Sequence, residues 1–350
     1  MSFIYRVGTA IPPHTIHQTE AKKFIQSNIA ERRLEKYVTV FDQAEITSRY
    51  FVVPQEWFEQ PHSFSERNEL FESKGIDLAS KAVDRCLNSA SMDHSEIDAL
   101  FTVTSTGILT PSLDVHLMNR CSFNENIVRV PMFGLGCAGG AVGLARVNDY
   151  LKAHPTEAVI LVCVELSSVA FHIDELNSTN IVGAALFGDG AAAVLLLGDE
   201  HPLSTGGFKM TEASSRTKRE SMDIMGWDVQ DDGFHVIFSK KIPSLIKTFW
   251  KDHSDNFLTD NKITLQEIDS FILHPGGKKV LEEISKCILE EHSLEHSFNI
   301  LKNFGNMSSP TVLFVLLEKM QQENLESGTK HILGALGPGF HSQLILMEYV

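Results

Sequence analysis

The chain has 350 residues, 43% of them hydrophobic and 21% charged, a length and balance that suit a soluble globular protein of about two domains or two halves. Its formal net charge of −15 disfavours nucleic acid and anionic membranes as partners, while leaving room for an anionic small substrate held by a local basic patch. No apolar run approaches the roughly 18–20 residues that span a bilayer, and the N-terminal "MSFIYRVGTAIPPH" lacks the basic segment and apolar run of a signal peptide, so a cytoplasmic location is expected.

In chain order, the basic cluster "ERRLEK" (31–36) reads as solvated surface. A helix follows over 77–87, where Leu78, Ala82, Cys86 and Ala79, Val83, Leu87 recur every three to four residues. Short runs rich in Val, Ile and Leu at 99–106, 158–166, 191–198 and 270–274 predict strands covered on both faces. Gly188-Asp189-Gly190 reads as a turn between strands, and "SRTKRE" (215–220) as a second solvated basic cluster. A second amphipathic helix is predicted over 278–291, from Val280, Ile284, Cys287 and Ile288. Alternation of strand and helix makes the fold α/β. The five cysteines, Cys86, Cys121, Cys137, Cys163 and Cys287, are odd in number and lack CxxC spacing. That argues against a disulfide framework or a zinc site and for a reducing compartment.

A weak repeat runs through this alternation. "SEIDALFTV" from Ser95 matches "QEIDSFILH" from Gln266, with an offset of 171 between Glu96 and Glu267. "GLGCAGGAVGLARVNDYL" and "NFGNMSSPTVLFVLLEKM" share glycine, a polar residue, small residues and an apolar helix, and there Cys137 corresponds to Asn306 at an offset of 169. The strand near Val159 likewise matches "HILGALG" near His331. Three matches in order at nearly constant offset are what a duplicated α/β unit leaves. The duplication would bring two helix ends together near a pseudo-twofold axis, with a thiol on one and an amide on the other, so a site is expected at the seam.

Cys137 stands at the start of an apolar helix among Gly134, Gly136, Gly139 and Gly140. A helix start favours a thiolate, and the glycines permit a tight turn and close approach by a ligand or another backbone. The other four cysteines are read as buried structural residues. His274 closes a strand just before "PGGKK", at the carboxyl end where α/β folds place ligands. There it could pair with the Cys137 thiolate or donate to a developing oxyanion. Asn306 could supply a second donor, or cap the following helix with Pro310 in its first turn. The order Cys, His, Asn also fits a papain-like cysteine protease. The surroundings exclude that reading: Cys137 lies mid-chain before Ala-Gly-Gly, without the Cys-Gly-Ser-Cys-Trp context.

Several motifs in order resemble those of thiolase-fold condensing enzymes, and specifically type III polyketide synthases of the chalcone synthase-like family, in a bacterial form. They are "GCAGG" at Cys137, "GAALFGDGAAAVL" (183–195), "MGWDVQDDGFHV" (225–236), "HPGGKKVLEEI" (274–284), "GNMSSPTVLFVL" (305–316) and "GALGPGF" (334–340). The resemblance implies a thiolase-like duplicated α/β/α/β/α layered fold, with residues 1–205 carrying the nucleophilic cysteine and residues 206–350 the histidine and asparagine. It implies a homodimeric acyltransferase using acyl-CoA and malonyl-CoA, with no cofactor beyond the CoA thioesters themselves. Cys137 would hold the growing chain, and His274 and Asn306 would stabilise the enolate formed as malonyl-CoA loses carbon dioxide.

Phe187 and Phe234 are implied as aromatic gates, Ser308 as a small neighbour of the asparagine, and Ser105 and Ala170 as cavity-shaping positions. Where family cations that bind CoA are expected before Arg49-Tyr50, this chain has Thr39 and Gln43, leaving Lys36. Alkylpyrone or alkylresorcinol products from a fatty acyl starter are expected. The alternatives are a malonyl-only tetrahydroxynaphthalene-type synthase, an initiating ketoacyl synthase, a cysteine-dependent thioester hydrolase and a non-catalytic scaffold.

Overall fold

The structure, a computed structural model, describes residues 1–288, 292–322 and 325–350. Its strands are β1 (Ser2–Ala10), β2 (His14–His17), β3 (Ser48–Phe51), β4 (Ala99–Thr104), β5 (Val128–Phe133), β6 (Ala158–Leu166), β7 (Asp189–Gly198), β8 (Phe208–Thr217), β9 (Met225–Gln230), β10 (Gly233–Phe238), β11 (Ser270–Leu273), β12 (Lys330–Gly337) and β13 (His341–Tyr349). Among the described residues, nine of them form one mixed sheet in the order β11-β12-β13-β8-β1-β7-β6-β4-β5. The two halves meet where β1 pairs antiparallel with β8, Phe3 opposite Lys209. On either side of that seam the pattern repeats. β6 lies antiparallel to β7 and parallel to β4, and β12 lies antiparallel to β13 and parallel to β11.

The repeat read from the sequence holds at the level of single hydrogen bonds. Asp93 with Glu96, and Thr264 with Glu267, each form a capping box at a short helical turn leading into β4 or β11. Asp98 N donates to Ala158 O at 2.9 Å while its carboxylate accepts from Ala158 N at 2.8 Å. Asp269 and Lys330 reproduce both bonds at 2.8 and 2.7 Å. "EID" is thus a device for starting a strand beside its parallel neighbour, used once in each half.

Strand burial shows the layering. All nine residues of β6 are buried. Ala158, Ile160, Val162, Val164 and Leu166 face one core with the helix Ile76–Ala90, while Val159, Leu161 and Cys163 face another that contains the helices Gly139–Ala153 and Thr311–Met320. In the other half Ile332 and Leu344 face a third core, backed by helix Lys278–Ser285, while Leu333 and Ile345 face the same central helices. Alternate side chains of a strand point to opposite faces, so a continuously apolar strand requires a layer on each side. The result is helix, sheet, paired central helices, sheet, helix.

The expected elements are present with shifted ends. The helix expected at 77–87 runs over Ile76–Ala90. The helix expected at 278–291 holds its helical bonds over Lys278–Ser285, and positions 289–291 of that expectation lie outside the described residues. Gly188-Asp189-Gly190 is not a turn between strands: it follows the helix Ser178–Leu186 and opens β7. Asp189 is fully buried there, its carboxylate accepting from Val52 N at 2.9 Å and Ser168 N at 2.8 Å.

Candidate active site

Cys137 lies in a single helical turn, Gly136–Ala138, that runs into the central helix Gly139–Ala153. The glycines around it answer to packing. Gly136 has φ +48 with a Pro338 ring carbon 2.7 Å from where a Cβ would stand. A Cβ on Gly140 would stand 2.5 Å from the Ser309 carbonyl oxygen, so the two central helices approach through this glycine. The close approach read from the sequence is therefore to the other half's backbone. Ser105, expected in the cavity wall, is withdrawn from it. It is 1% exposed, and its Oγ accepts from Gly136 N at 2.8 Å, which fixes the turn that presents the thiol.

Asn306 comes from a loop locked to the first half. Its N donates to Leu186 O at 2.8 Å, and Gly188 N donates to its O at 3.0 Å. Its side chain does not cap the next helix, which begins at Thr311 behind Pro310. Instead Oδ1 accepts from Ser308 N at 2.8 Å, and Ser308 adopts φ +61 to make that bond. Nδ2 faces Gly276 O at 3.3 Å, and the Cys137 Sγ lies 3.7 Å from both side-chain atoms. Arg49, fully buried, donates through Nη1 to the Phe187 and Ala184 carbonyls, and its chain lies 2.7 Å from where a Cβ on Gly305 would stand. It therefore fixes both loops that reach Cys137.

His274 follows β11, its N–H held by Gly334 O at 2.9 Å, and it lines one cavity with Cys137 and Asn306. It is 4% exposed, and neither ring nitrogen has a hydrogen-bond partner among the described residues. An unpartnered buried imidazole is costly and recurs at functional sites. Burial pulls His274 down to about 3. Burial likewise pushes the Cys137 thiol up to about 11, against the pull of hydrogen bonds from Ser308 and Asn306. Each group taken alone is neutral at pH 7. The ion pair expected from the sequence can exist only as a coupled event in which the thiol proton moves to the imidazole.

The spaces around Cys137 are connected through shared walls. A cleft of about 410 Å³ opens to the surface between Lys36, Lys240, Lys278 and Lys279, and shares Gly276, Val280 and Phe238 with the Cys137 cavity. Three of these lysines were not anticipated; Lys278 and Lys279 lie in the quoted "HPGGKK", where their charge was the available signal. Lys278 is paired with Glu45, and Lys36 and Lys240 flank the Tyr37 ring at 5.1 and 4.9 Å. Thr39 and Gln43 line the same cleft. On its other side Cys137 meets Phe187, Trp227, Val236, Phe238 and Ser308.

Past Phe187 and Trp227 lies a mainly apolar cavity, with Ile16, Phe24, Phe58, Ala170 and Phe171 in its wall. Ala170 lies in this wall and Phe187 lines both this cavity and the space beside Cys137, whereas Phe234 lines neither. It is buried further along β10 against Phe64, with ring centroids 5.4 Å apart, and Val236 and Phe238 face Cys137. Residues on one face of a strand recur every second position, about 7 Å apart, so the aromatic read as a gate is one step too far along.

A further group escaped the sequence reading. Glu165 is the one acid in the otherwise uncharged β6, which was the available signal. Its carboxylate, fully buried, accepts from Ser105 N at 2.9 Å, Thr106 Oγ1 at 2.8 Å and Ser309 Oγ at 2.8 Å, and burial pushes it up to about 7. It joins the cysteine turn of one half to the asparagine loop of the other.

A duplicated five-layer α/β fold with a cysteine heading one central helix and an asparagine loop leading to the other is that of the thiolase-like condensing enzymes. The model of the chalcone and stilbene synthase N-terminal domain matches residues 1–200, and that of the C-terminal domain residues 211–350. The chain belongs to this family, the type III polyketide synthases, and is an acyltransferase of that kind. It is 36% identical to a Bacillus subtilis (strain 168) protein named for chalcone synthase, over 100% of this chain and 99% of that one. It is 33% identical to 1,3,6,8-tetrahydroxynaphthalene synthase of Streptomyces peucetius subsp. caesius, over 98% of this chain and 92% of that one. The crystal structure of 1,3,6,8-tetrahydroxynaphthalene synthase from Streptomyces coelicolor A3(2) superposes with a TM-score of 0.94 at 23% identity, over 99% of each chain.

Proposed function

We propose that this synthase extends a fatty acyl starter with malonyl-CoA and closes the product to an alkylpyrone or alkylresorcinol. The observation that carries the choice of starter is the mainly apolar cavity beyond Phe187, whose Ile16, Phe24, Phe51, Phe58 and Phe171 suit an alkyl chain, with Arg49, Gln55 and Asn180 as polar members of the same wall. Cys137 Sγ attacks the starter thioester, its proton passing to His274 and on to the leaving CoA thiol. Malonyl-CoA then enters through the lysine-rimmed cleft with its thioester carbonyl toward His274 and Asn306. The bond to the carboxylate breaks, carbon dioxide leaves, and the electron pair is held as an enolate by those two donors. Each such donor is worth roughly 10²–10³ in rate. The enolate carbon attacks the acyl-cysteine carbonyl, the cysteine thiolate leaves, and the extended chain returns to Cys137.

In this reading Phe187, Trp227, Val236 and Phe238 keep water from the enolate, and Ser308 holds Asn306 in place. No cofactor is needed beyond the CoA thioesters, because decarboxylation itself supplies the carbanion. Lys36, with Lys240, Lys278 and Lys279, receives the CoA phosphates, and the protein acts in the cytoplasm. The half at 1–205 brings the nucleophile and the half at 206–350 the oxyanion donors. The protein works as a homodimer, paired through the outer edge of β5, where Val128 is 44% and Phe133 56% exposed.

The test is mass spectrometry of products from malonyl-CoA with a panel of acyl-CoA starters, for wild type, Cys137→Ala and Asn306→Ala. Starter-derived pyrones or resorcinols should form with wild type alone. Asn306→Ala should still accept the acyl group on Cys137 while decarboxylation falls at least a hundredfold. The 33% identity to a tetrahydroxynaphthalene synthase favours a second reading, in which malonyl-CoA serves as starter too. Products from malonyl-CoA alone, unaffected by fatty acyl-CoA, would establish it. Free acid released without carbon dioxide would instead identify a thioester hydrolase.

A further inference from the structure

One wall of the reaction cavity hangs on an element that has no right to be rigid. β9 and β10 form a two-stranded sheet of their own, apart from the main sheet, and an isolated hairpin is marginal in water. Yet Met225, Trp227, Val236 and Phe238 of this hairpin line the space around Cys137, and Trp227 and Val236 also line the apolar cavity beyond. Something must hold it against the first half.

At its tip lies a polar cluster that the reaction does not use, with Arg67, His172 and His235 buried and Asp232 half-exposed. Arg67, 4% exposed, donates from Nη1 to Val169 O at 2.6 Å and Phe171 O at 3.0 Å, and its Nη2 lies 3.2 Å from His172 Nδ1. The same Nδ1 of His172, a residue 1% exposed, lies 3.1 Å from Asp232 Oδ2 of the hairpin turn, so it serves either Arg67 or Asp232 according to its protonation, and the ring stacks on His235 with centroids 4.1 Å apart. His235 closes the ring, with Nε2 2.8 Å from Asp232 Oδ1 and Nδ1 3.3 Å from Glu175 Oε2. Gly233 has φ +140, and a Cβ there would stand 3.1 Å from Arg67 Cδ, so the turn is pressed onto the aliphatic stem of Arg67.

His172, Asp232 and His235 also bring three donor atoms within 4.8 Å of one another, a count that suits a transition metal. Against that, the guanidinium puts a fixed cation beside His172, and both Asp232 oxygens already meet an imidazole. The contacts join residues of the two halves of the chain, which is what a clamp requires.

We propose that Arg67, His172, Asp232 and His235 clamp the β9–β10 hairpin to the first half and so set the width of the acyl cavity, making them positioning residues for chain length. This rests on the reading of Cys137 as a polyketide-building site. None of the four touches the reacting atoms; they act through Trp227 and Val236.

The experiment compares wild type, Asp232→Ala and Asp232→Glu by three readouts: hydrogen exchange over residues 225–238, acylation of Cys137 by intact mass, and product profile with KM and kcat across starter lengths. For Asp232→Ala, exchange in the hairpin should rise at least tenfold, acylation should stay within twofold, and KM for the longest starter should change at least threefold with kcat little altered. The share of minor chain lengths should also grow at least threefold, and Asp232→Glu should restore part of each change. Should Asp232→Ala fail to fold, His235→Gln carries the same test. Faster hairpin exchange with an unchanged profile, or no faster exchange, overturns the proposal. Absence of any polyketide from wild type, with exchange still accelerated in the variant, would overturn the proposed reaction and leave the clamp supported.

Discussion

Cys137 and His274 each lose their charge to burial when considered singly, and only together can they recover it. A thiolate and an imidazolium facing one another across a small cavity offset part of each other's desolvation, so proton transfer between them is cheaper than ionising either to solvent. Removing His274 should therefore strand the thiol at about 11. With that value roughly one thiol in 10⁴ is ionised at pH 7. Alkylation of Cys137 by iodoacetamide at pH 7 should be at least tenfold slower in His274→Ala than in wild type. Because the variant's thiol has a raised value, its rate should climb about tenfold per pH unit toward 11. Equal rates with equal pH profiles would mean that His274 takes no part in activating the thiol.

At the scale of elements, the site depends on how closely two helices approach. The helix Gly139–Ala153 can meet the loop before Thr311–Met320 because Gly140 has no side chain, the Ser309 carbonyl being 2.5 Å from where one would begin. That contact sets the distance between Cys137 and Asn306 as surely as either side chain does. Gly140→Ala should cost about 1–3 kcal/mol in stability, the usual cost of overpacking a filled interior. It should also lower condensation more than acylation, since Asn306 moves while Cys137 remains at its helix start. A urea titration and the two partial reactions check this; an alanine tolerated in both would show that the helices have slack.

For the whole molecule, the sheet ends at β5, whose outer edge has no partner among the described residues. Val128 and Phe133 on this strand are 44% and 56% exposed. An exposed edge strand invites pairing with a second copy, here at positions other than Pro131, which has no N–H to donate, and the same edge twice makes a closed twofold dimer. Val128→Lys with Phe133→Lys should convert the proposed dimer to monomer by light scattering while leaving Cys137 alkylation unchanged. A double variant that stays dimeric would place the interface elsewhere.

Read alone, the sequence determined the layered duplication and singled out three polar residues that line one cavity. Both rest on local signals: apolar runs buried on two faces, "EID" before each inner strand, a polar residue before each central helix. Such signals are written in consecutive residues, so they survive without coordinates. The sequence could not place Phe234 and Val236, since neighbouring positions on one strand face look alike and only the anchoring of the hairpin decides which of them reaches Cys137. Nor could it withdraw Ser105 from the cavity, gather Lys240, Lys278 and Lys279 around one cleft, or join Glu165 to both loops. Those outcomes depend on segments well separated in the chain, from 31 to 144 residues for the bonds of Ser105 and Glu165, meeting in space. Burial, likewise a property of the packed whole, leaves the thiol and the imidazole each neutral at pH 7 when taken singly.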